Sequence, residues 1–186
     1  MSVRLIIVYL VLLAIARVLT LVGRRPQSWQ DTVRSFFDPT FYVIGWTSTL
    51  ALAAPLAEYI LFARPQLGGV QVAGGAGILL SGFIISEANR ALGPGYTPYV
   101  DRTAAAHPIV TRGLYNYIRH PIYLAGFILT AGASLTFNAR WAWFFTASAW
   151  GALTLRMLRE EKLLKKNMPG YAAYARRTKR FIPWVF

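Results

Sequence analysis

The chain has 186 residues, 55% of them apolar, a net charge of +13 and a mean hydropathy of +0.41. It has no cysteine, which excludes disulfides, thiol nucleophiles and thiolate metal sites. The histidines, His107 and His120, stand thirteen residues apart, without the short spacing of a helical zinc pair, so no metal is expected.

Several apolar runs approach or exceed about eighteen residues, long for the core helices of a soluble protein. The fold class expected is an all-α polytopic membrane protein, a single membrane domain over residues 1–186. It should have about five transmembrane helices plus a C-terminal cytoplasmic amphipathic helix.

The first span is expected over 3–22. Gly23, Arg24, Arg25 and Pro26 follow its apolar run without a clear cleavage site, which argues against a secretory leader. Arg17, near its end, is placed to snorkel. Trp29, Phe36 and Phe37 in the next loop suit the headgroup region. The second span, 39–62, starts at Pro39 and contains Pro55. Glu58 near its far end reads either as a headgroup-facing acid beside Arg64 or as a buried intramembrane acid; the first is favoured. The third span, 66–91, has small-xxx-small spacing at Gly77/Ser81 and Gly82/Ser86, which predicts a helix inside the bundle. Residues 92–118 form a long hydrophilic connection, a length that points to function.

A hairpin of two spans is expected over 119–137 and 140–155, with Asn138 at its turn. Residues 156–186 form the last segment. Within it, Arg156–Lys166 is amphipathic, residues 167–170 (Asn-Met-Pro-Gly) break the helix, and Tyr171–Lys179 resumes it. Nine of the twenty Lys and Arg residues lie between Arg156 and Arg180. With the C-terminus inside, inside segments carry sixteen Lys and Arg residues and outside segments three, a positive-inside bias. The basic tail is read as meeting membrane lipids; nucleic acid is not expected as a partner, because no recognition motif accompanies the charge.

This topology brings two polar clusters to one membrane face. The first runs from His107 to Tyr123 and the second from Arg156 to Glu161. Each has a plain reading: the tyrosines and Arg119 as interfacial anchors, and Arg156 with Glu160 as a surface ion pair one helical turn apart.

Together they resemble the isoprenylcysteine carboxyl methyltransferase family, within the wider group of integral-membrane methyltransferases that includes phospholipid N-methyltransferases. The residues that carry the resemblance are His107 to Tyr115, Arg119-His120-Pro121-Ile122-Tyr123 and Gly126. After a hydrophobic hairpin come Arg156, Glu160, Glu161, Tyr171, Tyr174, Ile182 and Pro183. The match covers roughly residues 90–186. There are departures. Pro108 stands where the family often has threonine, Ala125 where it has the motif glycine, and Val100 where eukaryotic members have a polar residue.

The resemblance implies S-adenosyl-L-methionine as cofactor, held by His107, Pro108, Ile109, Val110, Tyr115, His120, Pro121, Ile122, Tyr123 and Glu160. It implies that Arg156 contacts the acceptor, so that Arg156 and Glu160 carry the reaction. A sulfonium is an activated electrophile, so such an enzyme chiefly aligns a nucleophile with the methyl group and excludes water. A carboxylate acceptor needs no general base but does need a cation to hold it, which Arg156 supplies. A lipophilic carboxylate is the simplest acceptor, with phospholipid, amine and thiol acceptors as alternatives. Those would often need deprotonation, by Tyr123, Glu161 or His120, with nothing to choose among them. Two further readings are a reductase of the sterol-reductase type that uses NADPH, and a non-catalytic membrane protein with a lipid-binding tail. The expected location is a bacterial or archaeal cell membrane, multi-pass, with the C-terminus cytoplasmic.

Overall fold

A helix satisfies its own backbone polar groups, so long apolar sequence resolves into helices, and residue size then sets how closely they pack. The computed structural model describes residues 3–21, 39–62, 68–93 and 109–181. Among these are six α-helices and no strand: α1 Val3–Leu21, α2 Pro39–Phe62, α3 Gly69–Leu92, α4 Pro121–Thr136, α5 Trp143–Asn167 and α6 Tyr171–Arg177. A 3-10 turn, Gly113–Asn116, precedes α4. Tyr42–Phe62 and Gly69–Leu92 are long and apolar enough to cross a membrane, and α4 is a shorter apolar helix of 16 residues.

Helix α3 is the centre of the bundle, packed on α1 and α4, as its small residues predict. A Cβ on Gly74 would collide with the backbone nitrogen of Thr136 and lie 2.7 Å from the carbonyl oxygen of Gly132. A Cβ on Gly82 would lie 2.9 Å from the Cα of Ala16 in α1. Glycine at these positions lets the backbones touch. The main core joins α1, α2, α3 and α4 around Tyr9, Tyr59, Ile78 and Phe137. Within it Tyr9 packs edge-on against Phe137 at 4.7 Å and donates to the Leu52 carbonyl at 2.9 Å.

Three expectations are corrected. The fifth span and the amphipathic helix are one helix, α5, because residues 156–166 are strong helix formers with no glycine or proline among them. At about 1.5 Å per residue its 25 residues run about 37 Å. Second, α4 begins at Pro121, not at 119: Pro121 occupies the first turn, and residues 118–120 pair with the C-terminal segment instead. Third, Glu58 is buried at 7% exposure. It accepts the backbone N–H groups of Arg140, Trp141 and Ala142 at 2.8, 2.9 and 2.9 Å. From a neighbouring helix it closes the turn that precedes α5, and so gives partners to the backbone donors that lead into the helix.

Pro55 lies inside an uninterrupted α2. The helix break at 167–170 is as expected: α5 ends at Asn167, and Gly170 takes φ +84 just before α6.

Candidate active site

The site is built where α4 begins and the basic half of α5 passes. Arg119 and His120 occupy a short non-helical stretch that joins the Gly113–Asn116 turn to α4. The backbone there is held by the segment after α6. Arg119 N–H donates to the Lys179 carbonyl at 2.7 Å and His120 N–H to the Arg180 carbonyl at 3.2 Å, while Lys179 N–H donates to the Tyr117 carbonyl at 3.1 Å. Ile118 and Lys179 form a parallel bridge.

Glu160 and Glu161 meet this stretch from α5. Successive helical residues point about 100° apart, so the two carboxylates reach different targets. The Tyr123 hydroxyl donates to Glu160 Oε2 at 2.6 Å, a short bond of the kind a carboxylate makes. Glu161 is turned inward. Its Oε1 accepts from Arg119 Nε at 2.9 Å and lies 3.2 Å from His120 Nε2. Its Oε2 accepts from Arg180 Nε at 3.3 Å and Nη2 at 3.1 Å. Burial alone would raise the Glu161 pKa. Hydrogen bonds from His120, Arg180 and Arg119 outweigh it and hold the carboxyl well below the usual carboxylate range.

Arg119 reaches further. Its Nη1 donates to the carbonyls of Ala175, at 2.9 Å, and Thr178 at the end of α6. The side chains of Arg119 and Glu161 are 9% and 4% exposed. Arg119 is therefore a buried structural cation, not a headgroup anchor.

Tyr115 is buried against Ala88 and Ala91 of α3, with Val110 and Ile122 packed on the same cluster. Its carbonyl accepts from the Tyr174 hydroxyl at 2.7 Å, and burial pushes the Tyr174 phenol up to about 12. Arg112 Nε donates to the Ala91 carbonyl at 2.8 Å, and Gly113 takes φ +59, a backbone conformation that favours glycine, where a Cβ would lie 3.2 Å from that of Ala91. These contacts hold the 109–116 segment on the end of α3.

Of the expected cofactor-side residues, Val110, Tyr115, His120, Pro121, Ile122 and Tyr123 therefore lie around the entry to α4, with Glu160 joined to them through Tyr123, while Ile109 lies near Gly170 at the start of α6. His107, Pro108 and Val100 lie outside the described residues. Arg156 stands one turn before Glu160 on α5 and is half-buried. Arg119, Glu161 and Arg180 form a network, buried at Glu161 and Arg119 and half-exposed at Arg180, whose extent sequence reasoning missed. The available signal was charge: cations flanking a packed motif need a buried acid, and Glu161 was the unassigned one. Among the described residues no group of three or more His, Cys, Asp or Glu side chains is placed to hold a metal.

Fold and site together define an all-helical protein with apolar helices and a polar cluster, built from two distant motifs, at one end of the bundle. A family model described as phospholipid methyltransferase matches residues 70–169, just over half of the chain. The chain belongs to this family of membrane methyltransferases. A curated relative, the nickel-cobalt-cadmium resistance protein NccN of Alcaligenes xylosoxydans xylosoxydans, is 33% identical over 76 residues. That match takes in 40% of this chain and 36% of the relative, so the chain spans well under half the length of that protein. No solved structure matches the chain.

Proposed function

We propose that the protein transfers the methyl group of S-adenosyl-L-methionine to a lipophilic acceptor at the cytoplasmic membrane face, in a five-span topology with the C-terminus inside. The observation that carries this reading is the 2.6 Å contact between Tyr123 and Glu160, which joins the two halves of the motif across a hairpin. The residues present fit the cofactor chemically. Glu160 is a half-buried carboxylate suited to an ammonium group or ribose hydroxyls. The half-buried ring of Tyr123 offers aromatic surface of the kind that receives a sulfonium cation.

When bound, the cofactor supplies a methyl group already activated as an electrophile. What remains for the protein is to orient the acceptor and exclude water. Arg156 provides a planar, permanently charged fork for an anionic acceptor head. A carboxylate meets that requirement with no proton to remove, and it is the acceptor we favour.

The family assignment motivates a second reading, an aminophospholipid. Arg156 would then hold the phosphodiester, and the amine would need a base. The resistance named for the relative is not transferred to this chain, which has no cysteine and two histidines.

The test is radiolabelled methyl transfer from S-adenosyl-L-methionine into lipid acids, amines and thiols, with the product identified by mass spectrometry. A labelled lipid ester is expected; a methylated amine would select the second reading. Arg156→Ala and Glu160→Ala should each abolish turnover, and unchanged activity in both would remove the site assignment.

A further inference from the structure

We propose that Glu161 is a positioning residue: it clamps the C-terminal segment 178–181 onto the Arg119–Tyr123 turn and so fixes the cofactor side of the site. This rests on the methyl-transfer reading above.

The geometry is that of a clamp. Both carboxylate oxygens of Glu161 are engaged, one by Arg119 and His120 and the other by Arg180. These donors come from two segments about sixty residues apart, which also pair through three backbone hydrogen bonds. Phe181 continues the contact, with its ring 5.0 Å from Phe127 and 6.4 Å from His120. A carboxylate so fully occupied by donors has little basicity left, so Glu161 is not the proton acceptor of the reaction.

The link to the site runs through His120. Its ring packs edge-on against Tyr123 at 5.5 Å, and Tyr123 holds Glu160. His120 is also the residue from which α4 starts. Releasing its ring from Glu161 therefore loosens the Tyr123–Glu160 pair without removing either member.

The test uses the purified full-length protein in detergent, with Glu161→Gln as the main variant and Arg180→Ala as the milder one. Hydrogen–deuterium exchange of the amides of Arg119, His120 and Lys179 reads the clamp directly and needs no substrate. In Glu161→Gln these amides should exchange faster. The KM for S-adenosyl-L-methionine should rise roughly tenfold, with kcat kept within about threefold, the pattern of lost binding rather than lost transition-state contact. Arg180→Ala should shift both readouts in the same direction by less, and it carries the test if Glu161→Gln does not fold.

Faster exchange with an unchanged KM would make the clamp merely structural and overturn the proposal. A collapse of kcat with unchanged exchange would make Glu161 a direct participant and also overturn it. Faster exchange in a protein that transfers no methyl group would remove the methyl-transfer reading, and the positioning role with it, while the clamp itself stood.

Discussion

Glu160 and Glu161 share a peptide bond and have opposite surroundings. Glu160 is half-buried on a tyrosine hydroxyl; Glu161 is 3% exposed and ringed by two guanidinium groups and an imidazole. The second arrangement makes stability depend on pH with a definite sign. The folded carboxyl of Glu161 is held below the unfolded value of 4.5, so its contribution is complete above the ordinary carboxylate range. As pH falls through that range the unfolded chain binds the proton first, and stability is lost. Thermal unfolding in detergent from about pH 7 to about pH 3 should show a falling Tm on the acid side, and Glu161→Gln should flatten that fall. An identical acid limb in wild type and variant would contradict this assignment.

Sequence pattern placed the residues of this site more surely than their partners. The order from Arg119 to Tyr123, followed after a hairpin by Glu160, was legible, because a hairpin returns the chain to the same end of the bundle. Arg119's two carbonyl contacts at the end of α6 were not, since nothing in local sequence tells a buried arginine from a headgroup anchor.

Among the elements, α2 packs along α5, and one side chain ties it to the turn before that helix. Glu58 reaches from α2 to the turn before α5 and accepts three successive backbone donors. Glu58→Ala should therefore cost about 3 kcal/mol or more, read as a lowered Tm in detergent, because buried donors lose their partner. A headgroup-facing acid would give no change. The sequence offered both readings of Glu58, and its nearness to Arg64 favoured the wrong one. The deciding fact is that the 138–142 turn folds back over the end of α2, a tertiary contact between residues more than eighty positions apart.

The inside position of α3 was more legible, because small residues at helical spacing have few uses other than close approach, but which helix each of them meets was not. Gly74→Val should disrupt the α3–α4 crossing, since even a Cβ there meets the backbone of Thr136 and Gly132. The expected loss is at least about 1–3 kcal/mol, visible as a lowered Tm, as for other overpacked sites. Gly151→Ala is the control, because open space surrounds that glycine.

At the scale of the whole molecule, the chain divides into an apolar bundle and a basic end. Seven exposed cations, Arg159, Lys162, Lys165, Lys166, Arg176, Arg177 and Lys179, cluster on the second half of α5 and in and just after α6, while the exposed Arg4, Arg17, Arg90, Arg112 and Arg140 are scattered over the rest of the chain. The polar site stands at the same end, beside the start of α4. The acceptor proposed above, with an apolar tail and an anionic head, would match that division, its tail in the bundle and its head at Arg156. The continuity of α5 matters here, because one rigid helix carries both Arg156 and Glu160 and fixes their separation to a single turn.

In the proposed function the Arg119–Tyr123 turn and Glu160 form one cofactor site for a methyl donor. Calorimetric titration of the purified protein with S-adenosylhomocysteine and, separately, with NADPH tests it most directly. The account predicts saturable binding of S-adenosylhomocysteine, weakened at least about tenfold by Glu160→Gln, and no binding of NADPH. Binding of NADPH alone, or S-adenosylhomocysteine binding untouched by Glu160→Gln, would contradict it.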